Sequence, residues 1–480
     1  MSGADREQLQ PAAVRNRWIV LANVSVGTFM ATLDGSIANV ALPTMSVELN
    51  APIHWVQWVL TAYLLTICAT LPIMGKISDL IGRGTVYNYG FLLFAIGSGL
   101  CGISNTLGML IISRIIQALG ASCLMTNSQA IVAEVFAKGD RGRAIGIVGT
   151  VVSLGSLTGP GLGGILVERL GWPSIFWINI PIGLLGFIAG WFLLPKEKSR
   201  AHKEPFDYRG SALFIFGIVG FLYTVSNGKD WGWTSVVTIG GLAVSIAVLA
   251  YFYIWENKTN HPMLDFGLYR VRTFAIGNIT AFLSFIAMFF TNVMMPFYMQ
   301  NVLMYSAEKT GYTMMVFPFV MAIVAPFSGW LSDKIGPNIL TTLGLMINAL
   351  GFALLHTLSI HEEAWVVGLH LSLFGLGGGL FQSPNNSSVM GAVPGNKLGT
   401  AGGLNALVRN VGMVLGISFS VSIYSTRLHQ TAGAAGAADA QAMLDALHLV
   451  FWVAMGVCLL ALAVSVRRLG KKSGPQKAAA

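Results

Sequence analysis

Apolar runs alternate with short polar breaks along the whole chain, and most of the runs are long enough to form a bilayer-spanning helix of roughly 20 residues. Dividing the sequence at its charged and Gly/Pro-rich breaks predicts spans near 18–43, 55–75, 85–104, 107–136, 144–168, 174–194, 210–227 and 235–255. Six more follow near 274–302, 310–330, 338–358, 364–392, 399–426 and 445–466, giving fourteen. The polar stretches between them are too short for a nucleotide-binding domain and carry no Gly-rich phosphate loop or His/Cys metal cluster, which leaves the helices and their loops to perform any function.

Composition agrees with that reading. Hydrophobic residues make up 54% of the 480 and charged residues 10%, whereas a soluble domain carries about 25% charged residues. The net charge of +9 invites a nucleic-acid partner until the charges are located. Threading fourteen spans alternately puts both termini on one side, and 23 of the 29 Lys and Arg residues then share that side. Four (Arg169, Lys229, Lys309, Arg427) fall on the other side, and two (Arg114, Arg409) lie within spans. This is the bias of the positive-inside rule, so both termini are expected in the cytoplasm of a cell membrane, plasma or bacterial inner. The basic residues are scattered over separate short segments without a groove-fitting module, which excludes a nucleic-acid partner. Cys68, Cys101, Cys123 and Cys458 sit inside apolar runs and read as small buried hydrophobes. The polar N-terminal tail precedes an apolar run too long for a signal-peptide core, so the first helix is expected to remain uncleaved.

The segment Gly75-Lys76-Ile77-Ser78-Asp79-Leu80-Ile81-Gly82 recurs as Gly329-Trp330-Leu331-Ser332-Asp333-Lys334-Ile335-Gly336. The copies follow the second and tenth spans, so spans 1–6 and 9–14 form two equivalent halves with two helices inserted between them. The expected division is 1–195, 196–273 and 274–480, an arrangement that secondary transporters build from internal repeats. Asp79 lies at a helix end, where it can accept backbone N–H groups or pair with Arg83; Gly75 and Gly82 permit the tight turn. Gly75, Asp79, Gly82, Arg83 and Asp333 are therefore candidates for a conformational gate, against the alternative of an ordinary surface turn.

Asp34 is the acidic residue placed well inside a span, and a mid-membrane carboxylate costs about 2.5–3.5 kcal/mol even on lenient insertion scales. At the helical rise it lies roughly 13 Å from Pro43 at the end of its span, and Arg114 lies about 10 Å into the fourth span from the same side. The shared depth makes Asp34 and Arg114 a candidate proton-coupling pair, or else a static pair that fixes helix packing. Asn23, Gly27, Ala31, Asp34 and Ala38 form one small, polar stripe, and Arg114, Gln117, Ala121 and Ser128 form another. Gln117 is a candidate substrate contact. So is Arg409, about ten residues into the thirteenth span with no acid in the second half to neutralise it.

The fifth span carries Gly155, Gly159, Pro160, Gly161, Gly163 and Gly164, a run suited to close helix approach or to a kink, and Gly159 and Pro160 join the gate candidates. Flexible methionines, flat aromatics and a few amides suit loosely specific binding of large apolar ligands. Phe285, Phe289 and Asn292 of the ninth span and Gln382, Asn385 and Asn386 of the twelfth are the candidates for such a wall, against plain packing or lipid contact.

These motifs resemble those of the major facilitator superfamily, in particular its fourteen-helix drug:proton antiporter branch. Gly75, Asp79, Gly82 and Arg83 match the family pattern G-x-L-A-D-R-x-G-R-K. The run Leu33-Asp34-Gly35-Ser36-Ile37-Ala38-Asn39-Val40-Ala41-Leu42-Pro43 is similar to the branch signature L-D-x-T-I-V-N-V-A-L-P. Arg114 to Gly120 resembles R-x-x-Q-G-x-G, Gly159 to Gly164 resembles the antiporter motif, and Phe176 to Gly183 resembles F-x-x-N-x-P-x-G. The resemblance implies an all-α integral membrane protein of major-facilitator type, with two six-helix bundles plus two inserted helices. It also implies proton-coupled multidrug efflux of amphipathic or cationic compounds, with Asp34 and Arg114 in the coupling role. The expected partners are a small-molecule substrate, protons and membrane lipid, for a monomer without cofactor or metal. The lack of further acids evident within the second-half spans argues against strong recognition of divalent cations. An exporter dedicated to one metabolite, amino acid or lipid remains the alternative, with a membrane sensor or enzyme behind it.

Overall fold

The computed structural model describes residues 16–136, 138–194, 207–259, 262–394, 397–431 and 440–468. Among these residues the chain is helical, with no strand. The first eight long helices are α1 (Arg17–Glu48), α2 (Ile53–Ile81), α3 (Arg83–Gly102), α4 (Leu107–Val135), α5 (Lys138–Leu170), α6 (Ser174–Leu193), α7 (Tyr208–Trp231) and α8 (Val236–Glu256). Six follow: α9 (Arg272–Val302), α10 (Ala307–Met314 continuing as Val316–Ile335), α11 (Pro337–Leu355), α12 (Ala364–Gly391), α13 (Leu398–Thr431) and α14 (Ala440–Val466). Each coincides with a predicted span to within a few residues at most ends.

Thirteen of these helices are long and apolar enough to cross a membrane. The other, α3, is a full helix of 20 residues whose hydropathy is diluted by glycines. Their reason is packing: a Cβ at Gly97 would strike the backbone of Gln117, and one at Gly120 would strike the backbone of Phe94. Small residues let α3 and α4 approach closely, as membrane helices do where lipid offers no hydrophobic drive for association. Elsewhere large apolar side chains face outward, among them Phe192, Phe216, Val236 and Trp365. In water such a surface would aggregate; in hydrocarbon it is the solvated face.

Helix starts follow local chemistry. Thr106 Oγ1 accepts the Met109 N–H at 3.3 Å, Asp207 Oδ1 accepts that of Gly210 at 2.8 Å, and Ser235 Oγ accepts that of Thr238 at 3.2 Å. The duplicated turns share one device: Gly82 (φ 111°) separates α2 from α3, and Gly336 (φ 86°) separates α10 from α11. Both angles fall where a side chain would be strained. Two compact units result, one comprising Met1–Asp265 with Tyr305–Tyr312, the other Phe266–Met304 with Thr313–Ala480. Helices α7 and α8 therefore group with α1–α6.

Candidate functional site

Within the first unit, α1 runs against α5 through the glycines of the latter. A Cβ at Gly155 would collide with Thr32, one at Gly159 with Ser36 and one at Gly163 with Ile37, and Ser36 Oγ donates to the Gly155 carbonyl at 3.2 Å. That stripe fixes α1 on one side. On another, Asn23 Nδ2 donates to the Gly186 carbonyl of α6 at 3.0 Å, and the Tyr87 hydroxyl of α3 donates to the Val24 carbonyl at 2.9 Å. Asp34 is left pointing into the space among α1, α2, α3, α4 and α6.

There its carboxylate is fully enclosed, with no solvent-accessible surface, and so is Arg114. Arg114 Nη1 donates to Asp34 Oδ2 at 2.6 Å and to Gln117 Oε1 at 2.5 Å. Gln117 Nε2 donates to Asp34 Oδ1 at 2.8 Å and to Ser98 Oγ at 2.7 Å, while Asn179 Nδ2 of α6 reaches Asp34 Oδ1 at 3.2 Å. On α2, the Val59 carbonyl accepts from Arg114 Nε at 3.0 Å, and one turn further on Tyr63 lies under the guanidinium with its ring centroid 4.0 Å from Cζ. Phe176 flanks the same guanidinium at 5.5 Å. One carboxylate thus gathers donors from two further helices, and one guanidinium ties in a third. The ion pair is short and charge-assisted, and its enclosure strengthens it relative to water.

Asp34, Arg114 and Gln117 are legible in the sequence from their depth and helical phase. Asn179, Tyr63, Ser98 and the Val59 carbonyl are site members that sequence reasoning missed. A signal for Asn179 exists, because a lone amide in the apolar run of α6 needs a partner; the Val59 carbonyl gives no sequence signal at all.

At the basic end of α2, Arg83 donates through Nε and Nη2 to Asp79 Oδ1 at 3.2 and 2.9 Å, with side chains 27% and 48% exposed. A pair this exposed contributes only about 0.3–0.5 kcal/mol, too little to act as a structural clamp within this turn. A Cβ at Gly75 would come within 3.2 Å of Thr126 on α4, which accounts for the glycine by packing. Asp333 falls in the last turn of α10, and its side chain lies outside the described residues. Pro160 sits inside α5, and its carbonyl is approached by Gly311.

In the second unit, α9 and α13 run side by side because Gly412 admits Phe282 and Phe285, and Gly416 admits Ile286 and Phe289. Phe285, Phe289 and Asn292 are half-buried, and Asn292 Nδ2 turns back to the Met288 carbonyl at 3.3 Å. Gln382 Nε2 of α12 lies 3.5 Å from Met288 Sδ, and Asn386 Oδ1 accepts from Asn405 Nδ2 of α13 at 2.8 Å. Asn385 faces elsewhere: its Nδ2 donates to the Gly277 carbonyl at 3.0 Å and its Oδ1 accepts from Arg468 Nη1 at 3.1 Å. Burial pushes the Arg468 guanidinium down to about 10, so it stays charged near neutrality and commits Asn385 to it. Arg409 is half-buried and its Nε has no partner among the described residues. The structure thus brings Asp34, Arg114 and Gln117 together in one unit, and Phe285, Phe289, Asn292, Gln382, Asn386 and Arg409 onto α9, α12 and α13 of the other.

A many-spanned helical protein with an enclosed, charge-paired carboxylate has the build of a membrane transporter. The chain belongs to the Major Facilitator Superfamily, whose sequence pattern matches residues 24–417. It is 38% identical to the riboflavin transporter RibZ of Clostridioides difficile (strain 630), over 94% of this chain and 98% of that one. It is 32% identical to the multidrug transporter protein MdtP of Bacillus subtilis (strain 168), over 86% of this chain and 76% of that one. It is 33% identical to the multidrug resistance protein Stp of Mycobacterium tuberculosis (strain ATCC 25618 / H37Rv), over 87% of this chain and 78% of that one.

Proposed function

We propose that the protein is a proton-coupled exporter of amphipathic organic compounds that works by alternating access, with Asp34 as the proton carrier and Arg114 as its counter-charge. The observation that carries this reading is the enclosure of Asp34: a carboxylate with no exposed surface, held by Arg114 at 2.6 Å, at the meeting of several helices. Protonating it leaves Arg114 buried beside a neutral group. Removing one partner of a buried pair costs about 3–5 kcal/mol, and an equilibrium between two conformations swings from 1:99 to 99:1 for about 5.5 kcal/mol. One proton on Asp34 is therefore enough to displace most of the population from the arrangement seen here. Loss of that proton on the cytoplasmic side, linked to substrate binding, reverses the bias.

In this reading 1–195 and 274–480 are the two moving bundles, 196–273 is an inserted pair, and the basic side with both termini faces the cytoplasm of the cell or bacterial inner membrane. The protein acts as a monomer among lipids. The turns around Asp79, Arg83 and Asp333, with Gly159 and Pro160 in α5, serve as its gate. Phe285, Phe289, Asn292, Gln382, Asn386 and Arg409 are its substrate contacts, whereas Gln117, expected to be one, has its amide spent on Arg114, Asp34 and Ser98 and serves the coupling pair. Names of multidrug transporters among the relatives favour a broad substrate range. A dedicated exporter is the second reading, favoured by the nearly full-length match to a protein named a riboflavin transporter. Uptake into inside-out vesicles tests the first claim: Asp34→Asn should insert normally yet accumulate no dye on acidification of the lumen, and unchanged uptake would remove the mechanism. Competition among chemically unrelated compounds separates a broad pump from a dedicated one.

A further inference from the structure

The two guanidiniums placed well inside spans are treated differently. Arg114 is neutralised by Asp34, donates to Gln117 and the Val59 carbonyl, and lies on the Tyr63 ring. Arg409 makes no ion pair or hydrogen bond among the described residues, although its Nε is shielded from solvent. An uncompensated charge inside a membrane span is costly and is retained for a purpose.

Its surroundings name the purpose. Asn386 and Asn405 join α12 to α13, and Met390 lies beside Gly402 one turn nearer the basic end. The two helices run in opposite directions, so one turn further into the span sets Gln382 on α12 level with Arg409 on α13. Both lie roughly 13–16 Å from the basic ends of their helices at the helical rise. Beside them, α9 offers Phe282, Phe285 and Phe289 along the stripe that meets α13. The combination is one permanent cation, amides that can donate or accept, and flat aromatic faces. Among the described membrane helices of this unit the carboxylates are Asp333, in the last turn of α10 at its basic end, and Asp445, which is exposed and lies in the second turn of α14, at the end of that helix opposite the basic side.

We infer that the substrate strip of α9, α12 and α13 selects anionic or carbonyl-rich planar aromatics and rejects organic cations, with Arg409 as the charge-reading residue. This rests on the proposed export function and replaces the expectation of cationic cargo. A cation entering the strip would meet an unneutralised guanidinium and no acid to offset it; a carboxylate, sulfonate or polarised carbonyl would supply the partner that Arg409 lacks. The fork of a guanidinium also fixes the orientation of a planar oxygen pair, which an ammonium does not.

The test uses the full-length protein in nanodiscs and inside-out vesicles with charge-matched pairs: fluorescein against ethidium, and naphthalene sulfonate against a naphthyl trimethylammonium. Thermal stabilisation and vesicle uptake should favour the anion of each pair by at least tenfold in half-saturating concentration. Arg409→Gln should erase that preference and Arg409→Lys should keep part of it. Equal or better response to the cations in the unaltered protein, no response to either class, or an anion preference that survives Arg409→Gln would each overturn the inference. The wild-type comparison stands even if Arg409→Gln fails to fold. Asp34→Asn separates the two claims, because it should abolish gradient-driven uptake of every probe while leaving the order of stabilisation by anions and cations intact.

Discussion

Replacing Asp34 by Asn and Arg114 by Gln, singly and together, measures the interaction on which the transport reading turns. At an effective dielectric of about 20, unit charges about 4 Å apart attract by about 4 kcal/mol, and the Arg114–Asp34 contact is closer at 2.6 Å. Arg114 would keep Gln117 Oε1, the Val59 carbonyl and the Tyr63 ring after Asp34→Asn, which places the loss at the low end of the buried-pair range, about 3 kcal/mol. In that variant the introduced side-chain amide would also turn an N–H₂ group toward Arg114 Nη1, or toward Gln117 Nε2 and Asn179 Nδ2, all of them donors to the native carboxylate. Arg114→Gln should cost a similar amount by stranding the carboxylate. The double variant removes both charges, so its stability should exceed the sum of the singles by about 2–3 kcal/mol, the signature of a coupled pair. Unfolding in nanodiscs reads the stability, and acidification-driven dye uptake by inside-out vesicles reads the transport. Recovery of stability without recovery of uptake is the expected result. Additive losses within about 0.5 kcal/mol would refute the pairing as the energetic centre, and uptake by the double variant would refute the proton role.

Gly159→Ala should cost about 1–3 kcal/mol by overpacking and slow transport, because its methyl would displace Ser36; adding Ser36→Gly should recover part of both in the same unfolding and uptake assays. Asn179→Ala should lower uptake of all substrates alike and cost about 1 kcal/mol, the worth of its hydrogen bond to Asp34 plus little else. Arg83→Ala should leave the unfolding midpoint within about 0.5 kcal/mol of the unaltered protein, since its pair with Asp79 is exposed, and should change only the rate of uptake. A monoanion leaving in exchange for one proton moves two charges, worth about 4.6 kcal/mol per 100 mV. Collapsing the membrane potential with a potassium ionophore should therefore reduce accumulation of an anionic probe far more than removing an equal pH gradient.

How far the sequence foretells this arrangement depends on which backbone the chemistry uses. Spans are readable because hydrocarbon admits only helices that satisfy their own backbone, so hydropathy marks them; α3 is the exception in hydropathy, and its glycines explain it as a close neighbour of α4. Asp34, Arg114 and Gln117 are readable because a charge or amide inside an apolar run is costly unless it finds a partner. Tyr63 and the Val59 carbonyl are hidden, since an aromatic and a peptide group in a span look like any others until a guanidinium is laid against them. The same asymmetry explains Asn385 and Asn386: adjacent amides look equivalent in sequence, but the helix turns one toward Gly277 and Arg468 and the other toward Asn405. Helical phase, about 100° per residue, separates a packing amide from one on the strip beneath Arg409, and phase relative to a partner helix is set by glycine contacts that no single-helix pattern contains. Arg409 is the converse case. Its charge is visible in the sequence, but the missing counter-ion is a property of three helices at once, and it is that absence which turns an unusual residue into a statement about what the protein carries.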